Sequence, residues 1–258
     1  MAHQHGIREI VPDRKTQTGY KTLWQMDTPQ GYEIHSIQPI GRDKVLYVQC
    51  GNPFEADVMQ IPSKKELRRF PLPFSSGGSH GQMRNMRLTK RGTMLLASFE
   101  YGAVIEFDAH GKELQRWECP GAWGVEELEN GNILVATNQN YVREFDREGG
   151  AVWEWNWKER SPLSVVRVGD RLRESISGQK AHRLPNGNTM ITNWLNPWSR
   201  ETSDPLQPAV QAIEVDPAGK VEWQLKSWNE PANLGPSTTI QLLSEPVDRR
   251  KLFFGDFK

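Results

Sequence analysis

Three histidines of this chain have positions that could support acid–base or nucleophilic chemistry. His35, His80 and His182 lie at or near the starts of apolar, strand-like segments, whereas the other three histidines lie in a turn or in the N-terminal tail. Histidine changes its charge near neutral pH, so it can serve as a general base or a nucleophile. His182 and His35 are therefore the candidate catalytic residues. The spacing of the three histidines gives no local sign of metal ligation, so no metal site is predicted.

Other catalytic signatures are absent from the sequence. It contains no GxSxG elbow, P-loop, GxGxxG turn, HExxH motif or EF-hand loop, which argues against the hydrolase, kinase, dinucleotide-binding and zincin classes. The two cysteines, Cys50 and Cys119, are too few for a disulfide scaffold or a thiolate zinc site. No cofactor is predicted.

The candidate residues belong to a repeated unit. Similar segments occupy residues 35–70, 83–117, 123–155 and 179–225. Each contains four short apolar runs, which we label strands a to d. Glycine-containing turns join strands a and b, and Asp-x-x-Gly turns such as Asp108–Gly111 and Asp146–Gly149 join strands c and d. Four strands in a repeat of roughly 40 residues are typical of the blades of a β-propeller.

The two ends of the chain predict one further blade. Residues 7–26 resemble strands c and d, while residues 238–243 and 251–257 resemble strands a and b. Joining them would close the ring and remove exposed sheet edges. The predicted fold is therefore all-β, a five-bladed propeller of four-stranded antiparallel blades, in a single domain over residues 1–258. Six blades are the alternative if residues 158–178, which show one candidate strand, contain more.

Composition narrows the range of partners. The 32 basic and 32 acidic residues give no net charge, and no apolar run reaches the length of a membrane span, so neither a nucleic-acid partner nor a membrane span is predicted. Tryptophan is frequent, with 10 residues, and half of them recur in strand d: Trp24, Trp117, Trp153, Trp155 and Trp223. This repeated position predicts that they fill the space between neighbouring blades.

The remaining tryptophans and the two insertions, residues 158–178 and 195–208, lie in d-to-a or b-to-c connections. In an up-and-down blade both kinds of connection emerge on one face, so we expect the binding site there. Aromatic rings with amides and charged groups suit a sugar or another polar ligand. The predicted ligand-binding residues are Trp123, Arg84, Trp194, Trp198, Asn193, Glu100, Asn138, Gln139 and Lys180.

Two stretches, HRLPNGNTMITNW and AIEVDPAGKVEWQL, resemble the blade consensus of bacterial PQQ-like and arylsulfotransferase-like propellers. GPSTTIQLL and SHGQMRNMRLTKRGT are more similar to an uncharacterised, often exported, group of bacterial β-propellers. The resemblance implies a propeller fold and, by analogy with arylsulfotransferases, a nucleophilic histidine that takes up a sulfuryl group. His182 is the closest positional match, with His35, Arg84 and Lys180 as helpers. The chain has fewer blades than the six of that family and lacks most of its histidines.

A ligand-binding propeller that recognises a glycan or another polar small molecule is the favoured function. The alternatives are an enzyme, arylsulfotransferase-like or carbohydrate-active, that uses His182 or His35, and a scaffold with a protein partner. The first ten residues lack the pattern of a secretory signal, which leaves the compartment open, while the resemblance implies an extracytoplasmic location.

Overall fold

The computed structural model describes residues 2–3, 5–72, 78–157, 165–168, 171–174, 178–194, 210–228 and 237–240. These residues form β-strands, turns and loops and contain no helix. Consequently, no described segment is a helix long and apolar enough to cross a membrane. The all-β class predicted from the sequence is confirmed.

Four antiparallel sheets contain four strands each, in chain order from one edge to the other. The first has β4 (Glu33–Ile40), β5 (Lys44–Cys50), β6 (Glu55–Gln60) and β7 (Lys65–Pro71). The second has β8 (Asn85–Leu88), β9 (Met94–Ser98), β10 (Ala103–Phe107) and β11 (Glu113–Glu118). The third has β12 (Ala122–Glu127), β13 (Ile133–Thr137), β14 (Tyr141–Phe145) and β15 (Ala151–Asn156). The fourth has β18 (Gly178–Arg183), β19 (Thr189–Asn193), β20 (Ala212–Val215) and β21 (Val221–Leu225).

These four sheets coincide with the four repeats read from the sequence, and the architecture is consistent with a β-propeller. Contacts group the described residues into two compact units. One spans Met1–Glu100 and Ile105–Arg116, and the other spans Tyr101–Val104 and Trp117–Pro246. The single domain and the number of blades stay predictions.

An N-terminal sheet contains β1 (Ala2–His3), β2 (Gly6–Pro12) and β3 (Tyr20–Asp27). The predicted strands c and d at residues 7–26 are confirmed as the antiparallel pair of β2 and β3. Of their predicted partners, residues 238–240 are not in a strand, and residues 241–258 lie outside the described part of the chain. The closure by the C-terminal strands therefore stays a prediction.

A short hairpin of β16 (Val165–Val168) and β17 (Arg171–Glu174) lies within the insertion at residues 158–178. The sequence showed only the first of these strands. The sequence RLRE of β17 has a single apolar residue, so the alternation that marks a half-buried strand is too short to detect. Backbone pairing with β16 defines this strand.

The predicted turn chemistry is confirmed in each repeat that carries it. Gly131 and Gly187, which follow asparagine, have φ angles of 89° and 88°. The Asn130 and Asn186 side chains each accept a hydrogen bond at 3.0 Å from the backbone N–H two residues later. Asparagine closes the turn locally and glycine adopts the left-handed conformation, so the register of strands a and b is fixed by adjacent residues.

The strand d tryptophans form a repeated contact between sheets. The indole N–H of Trp24 donates to the Pro62 carbonyl at 3.0 Å, that of Trp117 to the Asp146 carbonyl at 3.0 Å, and that of Trp155 to the Gly219 carbonyl at 3.0 Å. Each acceptor lies in the c–d turn of the next sheet, and the three rings are buried. Their predicted role is thereby confirmed. Trp223 differs, because it is 41% exposed.

Asp57 in β6 is a buried carboxylate of the first sheet. Its side chain is 1% exposed, and Oδ1 accepts a hydrogen bond of 3.0 Å from Arg69 Nε. Its Oδ2 has no hydrogen-bond partner among the described residues. Burial raises the pKa of Asp57 to about 6, with the charge of Arg69 acting in the opposite direction. Ionisation of Asp57 is therefore unfavourable in the folded state.

We expect Asp57→Asn to stabilise the protein above pH 7 and to leave its stability unchanged at pH 4. The folded-state pKa lies above the ordinary 3.8, so the wild type loses stability as pH rises from about 4 to about 6, and asparagine does not ionise. Thermal melts at pH 7.5 should show a Tm about 2–4 °C above that of the wild type. Glu66→Gln is the control, since Glu66 is exposed and pairs with the same Arg69. A Tm difference independent of pH would contradict the expectation.

Candidate functional site

Strand a of three sheets begins with a β-bulge. The register of β4 on β5 passes from Ile34 opposite Gln49 to Ser36 opposite Val48, so His35 is the extra residue. Trp123 and Gln179 are the extra residues of β12 and β18. A bulge turns a side chain out of the regular alternation and is frequent next to functional sites. The three bulged residues are also the first residues of three of the four repeats found in the sequence.

Arg84, directly before β8, lies next to the bulged His35. The side chains of Ser36 and Gln38 accept hydrogen bonds from the backbone N–H groups of Met86 and Leu88, at 3.0 and 2.7 Å, so β4 and β8 lie side by side. Arg84 Nη1 is 3.5 Å from His35 Nε2. It also donates to the backbone carbonyls of His80 and Met83. The predicted residues His35 and Arg84 are thus brought together.

Glu33, His35 and His80 form a cluster, which we call the Glu–His–His cluster. Glu33 Oε2 lies 2.9 Å from His35 Nε2 and 2.8 Å from His80 Nδ1. The two imidazole rings meet edge to face, with centroids 5.3 Å apart. Glu33 and His35 have side chains that are 14% and 13% exposed, whereas the His80 side chain is 69% exposed. One carboxylate oxygen therefore contacts both imidazoles, at the border between the interior and solvent.

Burial lowers the pKa of His35 to about 4, and the charge of Arg84 adds to this effect against the opposing effect of Glu33. Burial also lowers the pKa of Arg84 from its usual value and raises the pKa of the Cys50 thiol to about 12. His35 is neutral at pH 7 as a result. Both cysteines are free and buried, so neither provides a reactive thiolate.

A pocket of about 490 Å³ borders the cluster at Glu33. The residues that line it are His5, Arg8, Asp27, Thr28, Pro29, Gln30, Gly31, Tyr32, Glu33 and Ser79. Half of them, residues 28–32, form the connection between β3 and β4, and Ser79 belongs to that between β7 and β8. Both connections are of the d-to-a kind. The Tyr32 hydroxyl donates to the Asn52 carbonyl of the b-to-c turn of the first sheet. The residues that line this pocket carry carboxylate, guanidinium, amide, hydroxyl and aromatic groups.

The loop that carries His80 and Arg84 is tied to the same b-to-c turn. Gln82 is buried, and its amide Nε2 donates to the Gly51 carbonyl at 2.7 Å, while its Oε1 accepts from the Gly51 N–H at 2.7 Å. The Gln82 amide thus pairs with the Gly51 backbone through two hydrogen bonds, as a neighbouring strand would. It holds the start of β8 against the first sheet and so positions His80 and Arg84 beside Glu33.

In the other unit, β12 and β18 place two pairs of side chains in contact. The Trp123 indole N–H donates to Gln179 Oε1 at 2.6 Å, so two bulged residues meet. His182 Nδ1 lies 2.9 and 2.8 Å from the two carboxylate oxygens of Glu126. The His182 side chain is 49% exposed. This pair is a second imidazole–carboxylate contact, on strand a of the fourth sheet.

The other predicted ligand-binding residues differ in accessibility. Asn193 is buried, and its amide donates to the Val210 carbonyl at 2.9 Å, which makes it part of the sheet. Lys180 and Trp194 are half-buried, Glu100 and Gln139 are exposed, and Asn138 is half-buried with a buried Oδ1. Trp198 lies outside the described residues. Ligand binding by these residues stays a prediction.

Sequence reasoning missed Glu33 and Tyr32. Glu33 precedes His35 by two residues, but His35 is the extra residue of a β-bulge, so the regular alternation of a strand does not predict their contact. His80 was named only as part of a three-histidine group that also included His182. Its contact with Glu33 depends on the course of the β7–β8 connection, which no local pattern reveals.

No family model matches the sequence, and no curated protein matches it. Solved structures do match. A Bacteroides caccae protein of unknown function aligns with 22% identity, covering 88% of this chain and 77% of its own, at a TM-score of 0.70. At 22% identity, this similarity shows a shared fold alone. Kuenenia stuttgartiensis hydrazine synthase aligns at 14% identity over 86% of this chain and 60% of its own, with a TM-score of 0.54. The WD40 β-propeller domain of Doa1 aligns over 66% of this chain and 51% of its own at 15% identity, and its TM-score of 0.48 is too low to support an argument.

Proposed function

We propose that this protein binds a polar small molecule, a glycan with acidic or neutral sugar units, in the pocket beside Glu33. The observation that carries the proposal is the lining of that pocket, which combines hydrogen-bonding groups of both charges with an aromatic side chain in a volume of about 490 Å³. Binding sites of small ligands have volumes of roughly 300–1,000 Å³ and a few convergent polar groups. A mono- or disaccharide fits this range.

The chemistry of the lining favours a hydroxyl-rich ligand. The Asp27 and Glu33 carboxylates can accept hydrogen bonds from sugar hydroxyls, and the Gln30 amide can both donate and accept. Arg8 supplies a guanidinium, which suits a carboxylate or sulfate substituent. The Tyr32 side chain supplies an apolar ring edge. A purely apolar ligand would leave these groups without partners, at a cost in free energy.

Calorimetric titration with neutral and uronic-acid disaccharides tests the proposal. We expect binding by the wild type, and at least a tenfold loss of affinity in Asp27→Asn, because an exposed carboxylate that accepts from a hydroxyl is replaced by an amide. Asp43→Asn is the matched control, since Asp43 is also exposed but lies in the β4–β5 turn, away from the pocket lining. Equal affinities for the two variants would overturn the assignment of the pocket.

The enzyme alternative and the scaffold alternative stay predictions. An enzyme that uses His182 or His35 requires turnover of a glycan or a sulfated aromatic compound, and that turnover should be lost when the reactive histidine is replaced by alanine. No binding of any sugar, together with capture of a defined protein partner, would favour the scaffold.

A further inference from the structure

We infer that the Glu–His–His cluster binds a divalent first-row transition metal ion of the Zn²⁺ class, with Glu33, His35 and His80 as its protein ligands. The inference goes beyond the proposed function, because it requires no sugar in the pocket. It also departs from the sequence-based prediction of no metal site, since the three ligands come from two segments whose proximity the sequence does not encode locally.

The positions of the donor atoms carry this inference. One donor atom from each of Glu33, His35 and His80 lies within 4.8 Å of the other two. Glu33 Oε2 contacts His35 Nε2 at 2.9 Å and His80 Nδ1 at 2.8 Å. Zinc binds imidazole nitrogen and carboxylate oxygen at about 2.0–2.2 Å, so neighbouring ligand atoms of a tetrahedral site are roughly 3.4 Å apart. The two Glu33 contacts must therefore lengthen by about 0.5 Å, and the imidazole nitrogen atoms, at most 4.8 Å apart, must approach each other by no more than about 1.4 Å.

The surroundings allow that approach. Glu33 and His35 are held in β4, and the bulge at His35 directs its imidazole toward Glu33. His80 lies in a loop, and its side chain is 69% exposed, so its ring can rotate at low cost. The loop itself is anchored by the Gln82 amide and by the contact of Arg84 with the His80 carbonyl. Two ligands are thus preorganised, and the third adjusts.

The donor set selects the class of ion. Two imidazoles and one carboxylate match the protein ligands of open zinc sites and of the facial sites of non-haem iron, whereas Mg²⁺ and Ca²⁺ prefer oxygen ligands alone. Three protein ligands leave at least one position for water or for another molecule. Glu33 also borders the pocket, so an open position can face a ligand bound there.

Arg84 is expected to lower the affinity of the cluster for a metal ion and to favour the binding of an anion together with it. Its Nη1 is 3.5 Å from His35 Nε2, so its positive charge repels a bare cation at this site. The repulsion decreases when the metal carries a hydroxide or another anion in its open position. We therefore expect the ion to be bound together with an anionic ligand, and an affinity in the micromolar range for Zn²⁺ in chloride buffer.

The experiment is a titration of the tag-free protein with Zn²⁺, followed by calorimetry, and with Co²⁺, followed by its visible absorption. His3→Ala and His5→Ala are introduced throughout, because the N-terminal histidines could bind metal independently. One ion should bind per chain. Glu33→Gln and His80→Ala should each lower the affinity at least thirtyfold. His80 is exposed, so its variant should fold, and circular dichroism verifies this.

Glu126→Gln is the control, because the Glu126 carboxylate also contacts a histidine, but only one, and lies in the other unit. The affinity of this variant for Zn²⁺ should equal that of the parent protein, which carries only His3→Ala and His5→Ala. Absence of saturable binding up to 1 mM Zn²⁺ (on the order of a 4 kcal/mol affinity), or equal affinities for the parent, Glu33→Gln and His80→Ala, would overturn the metal site. The sugar titration in the presence of EDTA tests the pocket separately, so failure of one proposal is distinguishable from failure of the other.

Discussion

Replacement of Trp155 by alanine is expected to lower the stability of the fold by about 3–5 kcal/mol, which is the usual cost of removing a large aromatic side chain from a core. Trp155 is 1% exposed, packs edge to face on Trp157 with centroids 4.8 Å apart, and belongs to the main core cluster of its unit. The substitution also leaves the Gly219 carbonyl without the indole donor at 3.0 Å. Thermal melts should show a Tm about 10 °C below that of the wild type.

Two further variants separate the causes of this loss. Trp155→Phe keeps one buried six-membered ring and removes the pyrrole part of the indole with its N–H donor, so we expect a smaller loss than with alanine, about 2 kcal/mol. Trp223→Ala is the control for exposure, because Trp223 also lies in a strand d, at the place that Trp153 has in β15, but is 41% exposed. It should cost less than about 1 kcal/mol. If the Trp155 and Trp223 alanine variants lost equal stability, packing against the next sheet would not explain the repeated tryptophan.

The repeated residues explain why the sheets could be predicted from the sequence. An Asn-Gly turn determines its geometry from neighbouring residues alone, as at Asn130 and Asn186. The strand d tryptophans carry a repeated packing role, and repetition makes such a role visible in a single sequence. The number of blades has no such local signal. It depends on how distant segments meet, and part of the C-terminal segment lies outside the described residues.

The candidate site could be predicted only in part, for the same physical reason. His35 and Arg84 were predicted because they lie at the first and second positions of aligned strands a, and Arg84 Nη1 lies 3.5 Å from His35 Nε2. Glu33, at the start of β4, and His80, in the β7–β8 connection, complete the cluster. The course of that connection is set by the Gln82 bonds to Gly51. A repeat pattern describes what the sheets share, whereas a site is built from the side chains in which one sheet differs from the others. The pocket beside Glu33 is of this kind.

Gly124 lies where β12 comes close to β18. A Cβ atom at this position would overlap the Gln179 carbonyl oxygen and lie 3.1 Å from Lys180 Cα, so backbone atoms would have to move. We expect Gly124→Ala to cost about 3 kcal/mol, at the upper end of the range for overpacking, with a Tm lowered by about 6–12 °C.

The control for Gly124 is Gly131→Ala. Gly131 has a φ angle of 89° but open space around it, so alanine there costs only about 1 kcal/mol for the left-handed conformation. A larger loss at Gly124 than at Gly131 shows that contact between strands, not backbone conformation, sets the requirement for glycine.

The displacement of β18 by Gly124→Ala should also break the 2.6 Å hydrogen bond between Trp123 and Gln179. Tryptophan fluorescence should therefore change in the folded Gly124→Ala protein and stay the same in Gly131→Ala. Equal losses of stability with unchanged fluorescence would mean that the added methyl group is accommodated without displacement of β18, and that contact with β18 does not set the requirement for glycine at this position.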